Sequence, residues 1–262
     1  MLKRILKDTP PRLLQVSVAL FVISFFPVYL SNFPGSGVAS LLTPFLMALP
    51  AILGLFLYLG PLRAGLSLLA LTAFAYAIET IGVLTGFPYG PFHYGDVLGP
   101  KVFGVVPYLL PVTYLPLVIG AVAAAWGTRG RISHIIAAAV LLTLMDGVLD
   151  PGAAALGFWV WLDGGLYYGV PLGNYLGWLF SGVLAAGIAL AVGRWNEPPL
   201  PIMLDSAIVA VAFWTGVAAF TFLPMPALLG IGMFGYLILR RSKLVASEPA
   251  RSGAGRYKLS NG

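Results

Sequence analysis

The amino-acid sequence predicts an all-α membrane protein, a polytopic bundle of about eight transmembrane helices with both termini in the cytoplasm. Three observations support this prediction: the composition, the spacing of the apolar segments and the one-sided distribution of Lys and Arg. The chain is 59% hydrophobic and 9% charged, whereas a soluble domain carries roughly 25% charged residues. Because so few polar side chains cannot cover a water-facing surface, most of the surface must face lipid.

Eight segments approach the roughly 20 apolar residues that a spanning helix needs. They run Pro11–Leu30, Gly37–Gly60, Ala64–Thr85, Gly104–Gly127, Ile132–Leu149, Asn174–Gly193, Met203–Leu223 and Met225–Arg240. The first follows a basic cluster and lacks a small-residue cleavage site, so it is interpreted as a retained span. We predict one transmembrane domain over residues 1–246 and a disordered polar tail over residues 247–262.

Basic residues fall at the ends of the predicted spans and in alternate turns. On one face lie Lys3, Arg4, Lys7, Arg12, Arg63, Arg129, Arg131, Arg194, Arg240, Arg241 and Lys243. The opposite face has only Lys101 among its short loops. The excess of Lys and Arg identifies the cytoplasmic side, which predicts a multi-pass protein of the cell membrane. This charge pattern indicates membrane orientation and gives no reason to expect a nucleic-acid partner.

Five of the nine acids lie on the face opposite the basic residues, namely Glu79, Asp96, Asp146, Asp150 and Asp163. Carboxyl groups at the ends of apolar helices are costly to desolvate, which makes them functional candidates. Glu79 stands in AFAYAIETIGVLTG and is a candidate proton donor, although it could also bond a neighbouring backbone group. Turn chemistry is sufficient to explain Asp96 and Asp163.

Asp146 and Asp150 stand in LLTLMDGVLDPG, and their i,i+4 spacing places both carboxyl groups on one helical face. Two carboxyl groups so close together can divide acid and base roles between them. We therefore predict Glu79, Asp146 and Asp150 as catalytic residues, with Glu79 or Asp146 as the proton donor. For Asp150, a cap of the turn before Pro151 is an alternative explanation.

Two loops on the acidic face, Gly86–Phe103 and Pro151–Gly173, are dense in Gly, Pro and aromatic residues. We expect both to pack over the bundle and to close a cavity there. An interfacial belt of aromatic side chains is the alternative. The candidate substrate-binding residues in these loops and on the following span are Tyr89, Phe92, Tyr94, Trp159, Trp161, Tyr168, Asn174 and Trp178.

The sequence suggests no metal or cofactor. It contains no Cys, and its two His residues, His93 and His134, fall on opposite predicted faces, which argues against a shared metal site. No phosphate-binding or dinucleotide-binding glycine pattern follows a strand. The predicted site therefore depends on carboxyl and aromatic side chains alone.

Several motifs occur in a distinctive order. The stretch ETIGVLTGFPYGPFHYGDVLGPKVFG precedes VPYLLP, and LMDGVLDPGAAALGFWVW precedes GGLYYGVPLGNYLGW. Over roughly residues 60–190 this combination resembles the CruF-type carotenoid 1,2-hydratases, which include relatives of bisanhydrobacterioruberin hydratase. The resemblance implies cofactor-free addition of water to the terminal C1=C2 double bond of an acyclic carotenoid, which gives a tertiary alcohol. It also implies lipid and a hydrophobic carotenoid as partners, and leaves association with other carotenoid enzymes open.

This chemistry suits the candidate residues. Protonation at C2 leaves a tertiary cation at C1, which aromatic faces can stabilise, and a carboxylate can orient and deprotonate the attacking water. A cofactor-free carotenoid end-group cyclase would begin in the same way but would exclude water. A transporter, a lipid-binding membrane protein and a scaffold for pigment enzymes remain as alternatives of a different class.

Overall fold

The computed structural model describes residues 10–30 and 36–257, which form a bundle of helices with a small strand-containing cap at one end. The predicted basic residues Lys3, Arg4 and Lys7 lie outside the described residues. In chain order the helices are α1 (Pro11–Ile23), α2 (Phe25–Tyr29), α3 (Ser36–Leu59), α4 (Pro61–Thr85), α5 (Leu110–Ala124), α6 (Arg131–Ala155), α7 (Leu172–Gly193), α8 (Asp205–Phe220) and α9 (Pro224–Tyr257).

Apolar helices of membrane-spanning length dominate the described residues. Six segments are long and apolar enough to cross a bilayer: Pro11–Tyr29, Leu41–Leu59, Pro61–Thr85, Arg131–Ala155, Leu172–Gly193 and Pro201–Phe220. Helix α5 is apolar but shorter. Large apolar side chains are exposed along the outer surface, for example Leu57 at 73% and Leu69 at 67%, as expected for a surface in contact with lipid. The prediction of a membrane helix bundle is confirmed in its coarse form: the described residues are mostly helical, with four short strands that an all-α fold does not include.

Several helix ends differ from the predicted spans. Helix α5 begins at Leu110, six residues later than the predicted start at Gly104, because a short hairpin occupies the preceding residues. In that hairpin, strand β2 (Lys101–Val102) pairs antiparallel with β3 (Val106–Pro107). Helix α6 instead runs to Ala155, past the predicted end at Leu149. The disordered tail over residues 247–262 stays a prediction; α9 is described to Tyr257, and residues 258–262 lie outside the description.

Pro151 lies inside α6 and does not end it. A proline has no N–H, so the carbonyl group of Gly147, four residues earlier, loses its helical donor. The Tyr167 hydroxyl donates a hydrogen bond to that carbonyl oxygen at 3.2 Å. This contact from the following loop replaces the missing helical bond, as neighbouring groups do where proline interrupts a membrane helix.

A second antiparallel pair joins the two aromatic loops. Strand β1 (Phe92–Tyr94) pairs with β4 (Trp159–Trp161), so that Phe92 lies opposite Trp161 and Tyr94 opposite Trp159. Side chains alternate between the two faces of a strand; accordingly Phe92 and Tyr94 are buried while His93 is exposed. The two loops therefore form a β-ribbon whose aromatic face is directed into the bundle.

Helix α8 lies at the centre of the bundle, in contact with α1, α3, α5, α6 and α9. Its Ser206 hydroxyl accepts a hydrogen bond from the Ala51 amide at 2.9 Å and donates to the Ala48 carbonyl at 3.3 Å, beside the helix-distorting Pro50 in α3. Arg241 of α9 forms an ion pair with Asp205 at 2.6 Å. Because removing one partner of a buried pair is strongly destabilising, this contact fixes α9 against α8.

Candidate active site

A cavity lies at one end of the bundle, beneath the β1–β4 ribbon. It is bounded by the C-terminal parts of α4 and α6 and the N-terminal parts of α5 and α7, and its volume is about 80 Å³. The three predicted catalytic residues all line it and are almost fully buried, with exposed fractions of 5% for Glu79, 2% for Asp146 and 1% for Asp150. Helices from distant parts of the chain thus bring together the acids selected from the sequence.

A single amide group joins the two aspartates. Both carboxyl groups project from α6, one helical turn apart, toward Asn174 on α7. The Asn174 side-chain amide nitrogen donates to Oδ2 of Asp146 at 3.0 Å and also to Oδ2 of Asp150. An amide nitrogen carries two hydrogens, so it can serve both acceptors at once. Asn174 therefore holds the two carboxyl groups in a fixed arrangement between α6 and α7.

Asp150 does not cap a turn before Pro151, so that alternative is wrong. The helix continues through Pro151 to Ala155, and the Asp150 carboxyl group points toward the ribbon. Its Oδ1 accepts a hydrogen bond from the indole Nε1 of Trp159, and its Oδ2 accepts from Asn174. Both of its oxygens are thus engaged by donors, one from β4 and one from α7.

Glu79 is held by the other strand of the ribbon. The Tyr94 hydroxyl donates to Oε2 of Glu79 at 2.7 Å. Burial, together with the neighbouring Glu79 carboxylate, raises the pKa of Tyr94 well above its usual range, so this hydroxyl stays a donor. Lys101 in turn donates from Nζ to the Tyr94 carbonyl oxygen at 2.8 Å and pairs with Asp96 at 3.1 Å. Lys101, the one Lys or Arg that the described residues place in the short loops of this face, therefore braces the strand that orients Glu79.

Tyr89 lies between two glycines on different helices. A Cβ atom at Gly82 of α4 would lie 2.8 Å from Cδ2 of Tyr89, and one at Gly177 of α7 would lie 2.6 Å from Cδ1. These positions have no room for a side chain, because the aromatic ring fills the gap between the helices. Burial, followed by the nearby Glu79 and Tyr114, raises the pKa of Tyr89 well above its usual range. Tyr89 is thus a fixed, neutral hydroxyl in the wall of the cavity.

Aromatic rings form the remaining wall. Phe92 and Trp161 have ring centroids 5.0 Å apart, and Tyr114 and Trp178 have centroids 5.7 Å apart. The Tyr94 and Trp159 rings meet edge to face at 6.1 Å, within the usual range for aromatic pairs. The site thus combines three buried acids with aromatic faces that could stabilise a cation.

Four polar atoms in this wall are buried and form no hydrogen bond with the described residues. They are Oδ1 of Asp146, the hydroxyl oxygens of Tyr89 and Tyr114, and Nε1 of Trp161. Most buried polar groups in proteins have a partner, often ordered water. The convergence of unpaired donors and acceptors on one small cavity indicates that it accommodates water or a polar group of a ligand.

The structure places seven of the eight predicted substrate-binding residues in the cavity wall. They are Tyr89, Phe92, Tyr94, Trp159, Trp161, Asn174 and Trp178. Tyr168 does not line the cavity. It adopts a φ of 54° in the turn after Tyr167, and its hydroxyl accepts a hydrogen bond from the Met225 amide at 3.3 Å, at the start of α9.

The residues that α5 contributes to the wall were not predicted from the sequence. These are Leu110, Thr113, Tyr114 and Leu117, whose spacing places them on one face of the helix. That periodicity was available in the sequence. However, α5 is apolar on all sides, so no difference in polarity distinguishes the face toward the cavity from the others.

The described residues contain no group of three or more His, Cys, Asp and Glu side chains arranged to hold a metal ion. The three acids are instead bonded to Tyr94, Trp159 and Asn174. Carboxyl groups held in this way can transfer protons and orient water within an apolar enclosure.

Asp150 accepts hydrogen bonds from two donors, Trp159 and Asn174, and this leads to a prediction about stability. Asp150→Asn replaces an acceptor oxygen by an NH₂ group, which opposes either Trp159 or Asn174 with a second donor. A buried donor without an acceptor costs about 1–3 kcal/mol, so thermal unfolding in detergent should occur at a lower temperature. Equal melting temperatures for the wild type and Asp150→Asn would contradict this arrangement.

Comparison with known proteins indicates the same family as the sequence motifs do. The family model described as carotenoid biosynthesis protein matches residues 35–237, a wider range than the motif-bearing residues 60–190. Bisanhydrobacterioruberin hydratase of Haloarcula japonica is 43% identical over 203 residues, which cover 72% of this chain and 69% of the relative. No solved structure shows significant similarity to the chain. The chain therefore belongs to the carotenoid biosynthesis protein family.

Proposed function

We propose that this protein is a carotenoid 1,2-hydratase, which adds water to the terminal C1=C2 double bond of an acyclic carotenoid end group without a cofactor. The observation that carries the proposal is a cluster of three buried acids with four unpaired polar atoms, one of which is Oδ1 of Asp146 itself, within an otherwise aromatic and apolar cavity. The relative named as a hydratase supports the same reaction class. A cyclase would need no place for water, so the unpaired polar atoms favour the hydratase.

We assign the proton-donor role to Asp146. Its Oδ2 is held by Asn174, while its Oδ1 is buried in the cavity wall without a partner. A carboxyl group with one anchored and one unengaged oxygen can present its proton in a fixed direction. Transfer of that proton to C2 would form the new C–H bond from the alkene π electrons and leave a tertiary cation at C1. Asp150, with both oxygens occupied, acts as a positioning residue.

We assign to Glu79 the role of the base that accepts a proton from the attacking water molecule. Tyr94 anchors its Oε2, and the carboxyl group lines the cavity from α4, across from the α6 aspartates. Water attacking C1 forms the C–O bond and then loses a proton to Glu79, which gives the neutral tertiary alcohol. The proton gained by Glu79 balances the one that Asp146 has lost, and exchange with solvent restores both groups.

The cation would form among aromatic faces. Trp161, Phe92, Trp178 and Tyr114 lie in the same wall, and a cation within about 6 Å of such a ring is stabilised. A cavity of about 80 Å³ is far smaller than a whole carotenoid and suits an end group. The long polyene must therefore extend out of the site, and a membrane-embedded bundle allows it to remain in the hydrocarbon region of the bilayer.

Substitution of the two assigned acids tests the mechanism. Asp146→Asn and Glu79→Gln preserve the size of each side chain but remove its ability to transfer a proton. Each should lower the rate of hydration of an acyclic carotenoid by about 100-fold or more, the usual range of a general acid or base. The product would be measured by chromatography of pigments from a host that makes the acyclic precursor.

Tyr168→Phe is the matched control, because Tyr168 lies outside the cavity, and it should retain activity close to that of the wild type. Protein abundance in the membrane must be measured for every variant. Normal turnover by both acid variants would eliminate the proposed roles, and a ring-containing product from the wild type would identify a cyclase.

Isotope labels test the reaction itself. In deuterated water the product should carry one deuterium on C2, because the proton on the donor carboxyl group exchanges with solvent before it is transferred. With ¹⁸O-labelled water, the heavy oxygen should appear in the tertiary alcohol. Mass spectrometry and NMR of the purified pigment give both measurements. An alcohol oxygen derived from molecular oxygen would identify an oxygenase instead.

We also propose that the chain crosses the cell membrane eight times with both termini in the cytoplasm. Arg63, Arg131 and Arg194 lie at the ends of α4, α6 and α7 that are distal to the acidic cavity, which supports this orientation. Reporter fusions at the C-terminus and within Pro151–Gly173 should report opposite sides of the membrane. Signals from the same side would contradict the eight-span topology.

A further inference from the structure

A second cavity lies at the opposite end of the bundle from the acidic site. Its wall comes from the α5–α6 connection, the start of α6 and the end of α7. Arg131 and Asp146 are 15 residues apart on α6, and at 1.5 Å per residue the two cavities are separated by about 22 Å along that helix. The volume of the second cavity is about 620 Å³, which is within the usual range for a small-molecule site.

Among the described residues, the wall of this second cavity carries positive charge and no carboxylate. Arg131 and Arg194 line it together with the polar residues Thr128 and Asn196. Both arginines are exposed, and neither forms an ion pair or side-chain hydrogen bond with any residue in the described part of the chain. Their guanidinium groups are therefore available to an anion.

The start of α6 adds further donors. Gly130 is the N-cap and supplies no side-chain bond, and the first turn contains no acidic residue. The first amides of a helix have no acceptor within it, and the helix dipole favours an anion at this end. In the same wall, the indole Nε1 of Trp195 is buried without a hydrogen-bond partner among the described residues, and this side chain is only 8% exposed.

The backbone conformation of Arg194 is a further indication of an anion site. This residue ends α7 with a φ of 53°, in the left-handed region that favours glycine. An arginine here places a guanidinium group at the rim of the cavity, where a glycine would be the easier choice for the backbone. On the other side His134 is fixed by a 2.8 Å hydrogen bond from Nε2 to the Val122 carbonyl, so this part of the wall is rigid.

We propose that this second cavity binds a phosphate group through Arg131, Arg194 and the N-terminus of α6. Guanidinium groups and helix N-termini are the usual ligands of phosphate oxygens. The phosphate can belong to the headgroup of an anionic lipid or to a soluble phosphate or diphosphate. A lipid is the closer source, because the cavity lies where the apolar helices end, at the level of the headgroups. The site is independent of the hydratase chemistry proposed above.

The experiment uses the full-length protein in nanodiscs of neutral phosphatidylcholine, with or without phosphatidylglycerol. Bound lipid is counted by native mass spectrometry, and thermal unfolding is followed in parallel. The test variant is Arg131→Gln with Arg194→Gln. The matched control is Arg129→Gln with Arg63→Gln, which removes two exposed arginines outside this wall. Titration with inorganic phosphate and with diphosphate in neutral nanodiscs forms the second arm.

Both variants lose the general attraction of two surface arginines for anionic lipid, and the test variant should in addition retain about tenfold less phosphatidylglycerol than the control variant. Such a loss would identify a lipid headgroup as the ligand. If instead inorganic phosphate or diphosphate raises the unfolding temperature of the wild type in neutral nanodiscs but not that of the test variant, a soluble phosphate is the ligand. Equal behaviour of the test and control variants in both arms would overturn the proposal. Carotenoid hydration in neutral nanodiscs should be the same for all three proteins, which separates this result from the outcome for the acidic site.

Discussion

The burial of three carboxyl groups at one end of a lipid-facing bundle is the constraint on which this site depends. Burying a charged or polar group without partners is costly, so every element around Glu79, Asp146 and Asp150 must supply donors. Tyr94, Trp159 and Asn174 do so from β1, β4 and α7. The aromatic ribbon and the bundle are therefore joined by the same hydrogen bonds that orient the acids.

These hydrogen bonds also distinguish the three acids chemically. Asp150 uses both oxygens to hold Trp159 and Asn174, whereas Asp146 retains one unpaired oxygen and Glu79 accepts from Tyr94 at Oε2. The same residue type can thus serve as an anchor or as a reactive group, according to how many of its oxygens are engaged. A reaction through a carbocation requires this fixed geometry, because acid, water and aromatic faces must be in place before the charge develops.

The two ends of the bundle have opposite character. One end contains the acidic cavity, where Lys101 is committed to Tyr94 and Asp96. The other contains Arg131 and Arg194 around an open cavity without a carboxylate. The charge asymmetry that orients a membrane protein thus coincides with a separation of two kinds of cavity, one lined by carboxyl groups and the other by guanidinium groups.

The sequence by itself determined the membrane class, the approximate positions of the helices, the family and the acids. Each of these depends on local composition, spacing or motif order. Only the tertiary structure decided that Asp150 lies within a continuing helix, that Tyr168 turns toward α9 and that α5 contributes Tyr114 to the cavity. These outcomes depend on partners distant in the chain: Tyr167 replaces the helical bond lost at Pro151, and α7 fixes the aspartates through Asn174. In a uniformly apolar helix such as α5, hydrophobicity cannot indicate which face meets the site, so packing alone selects it.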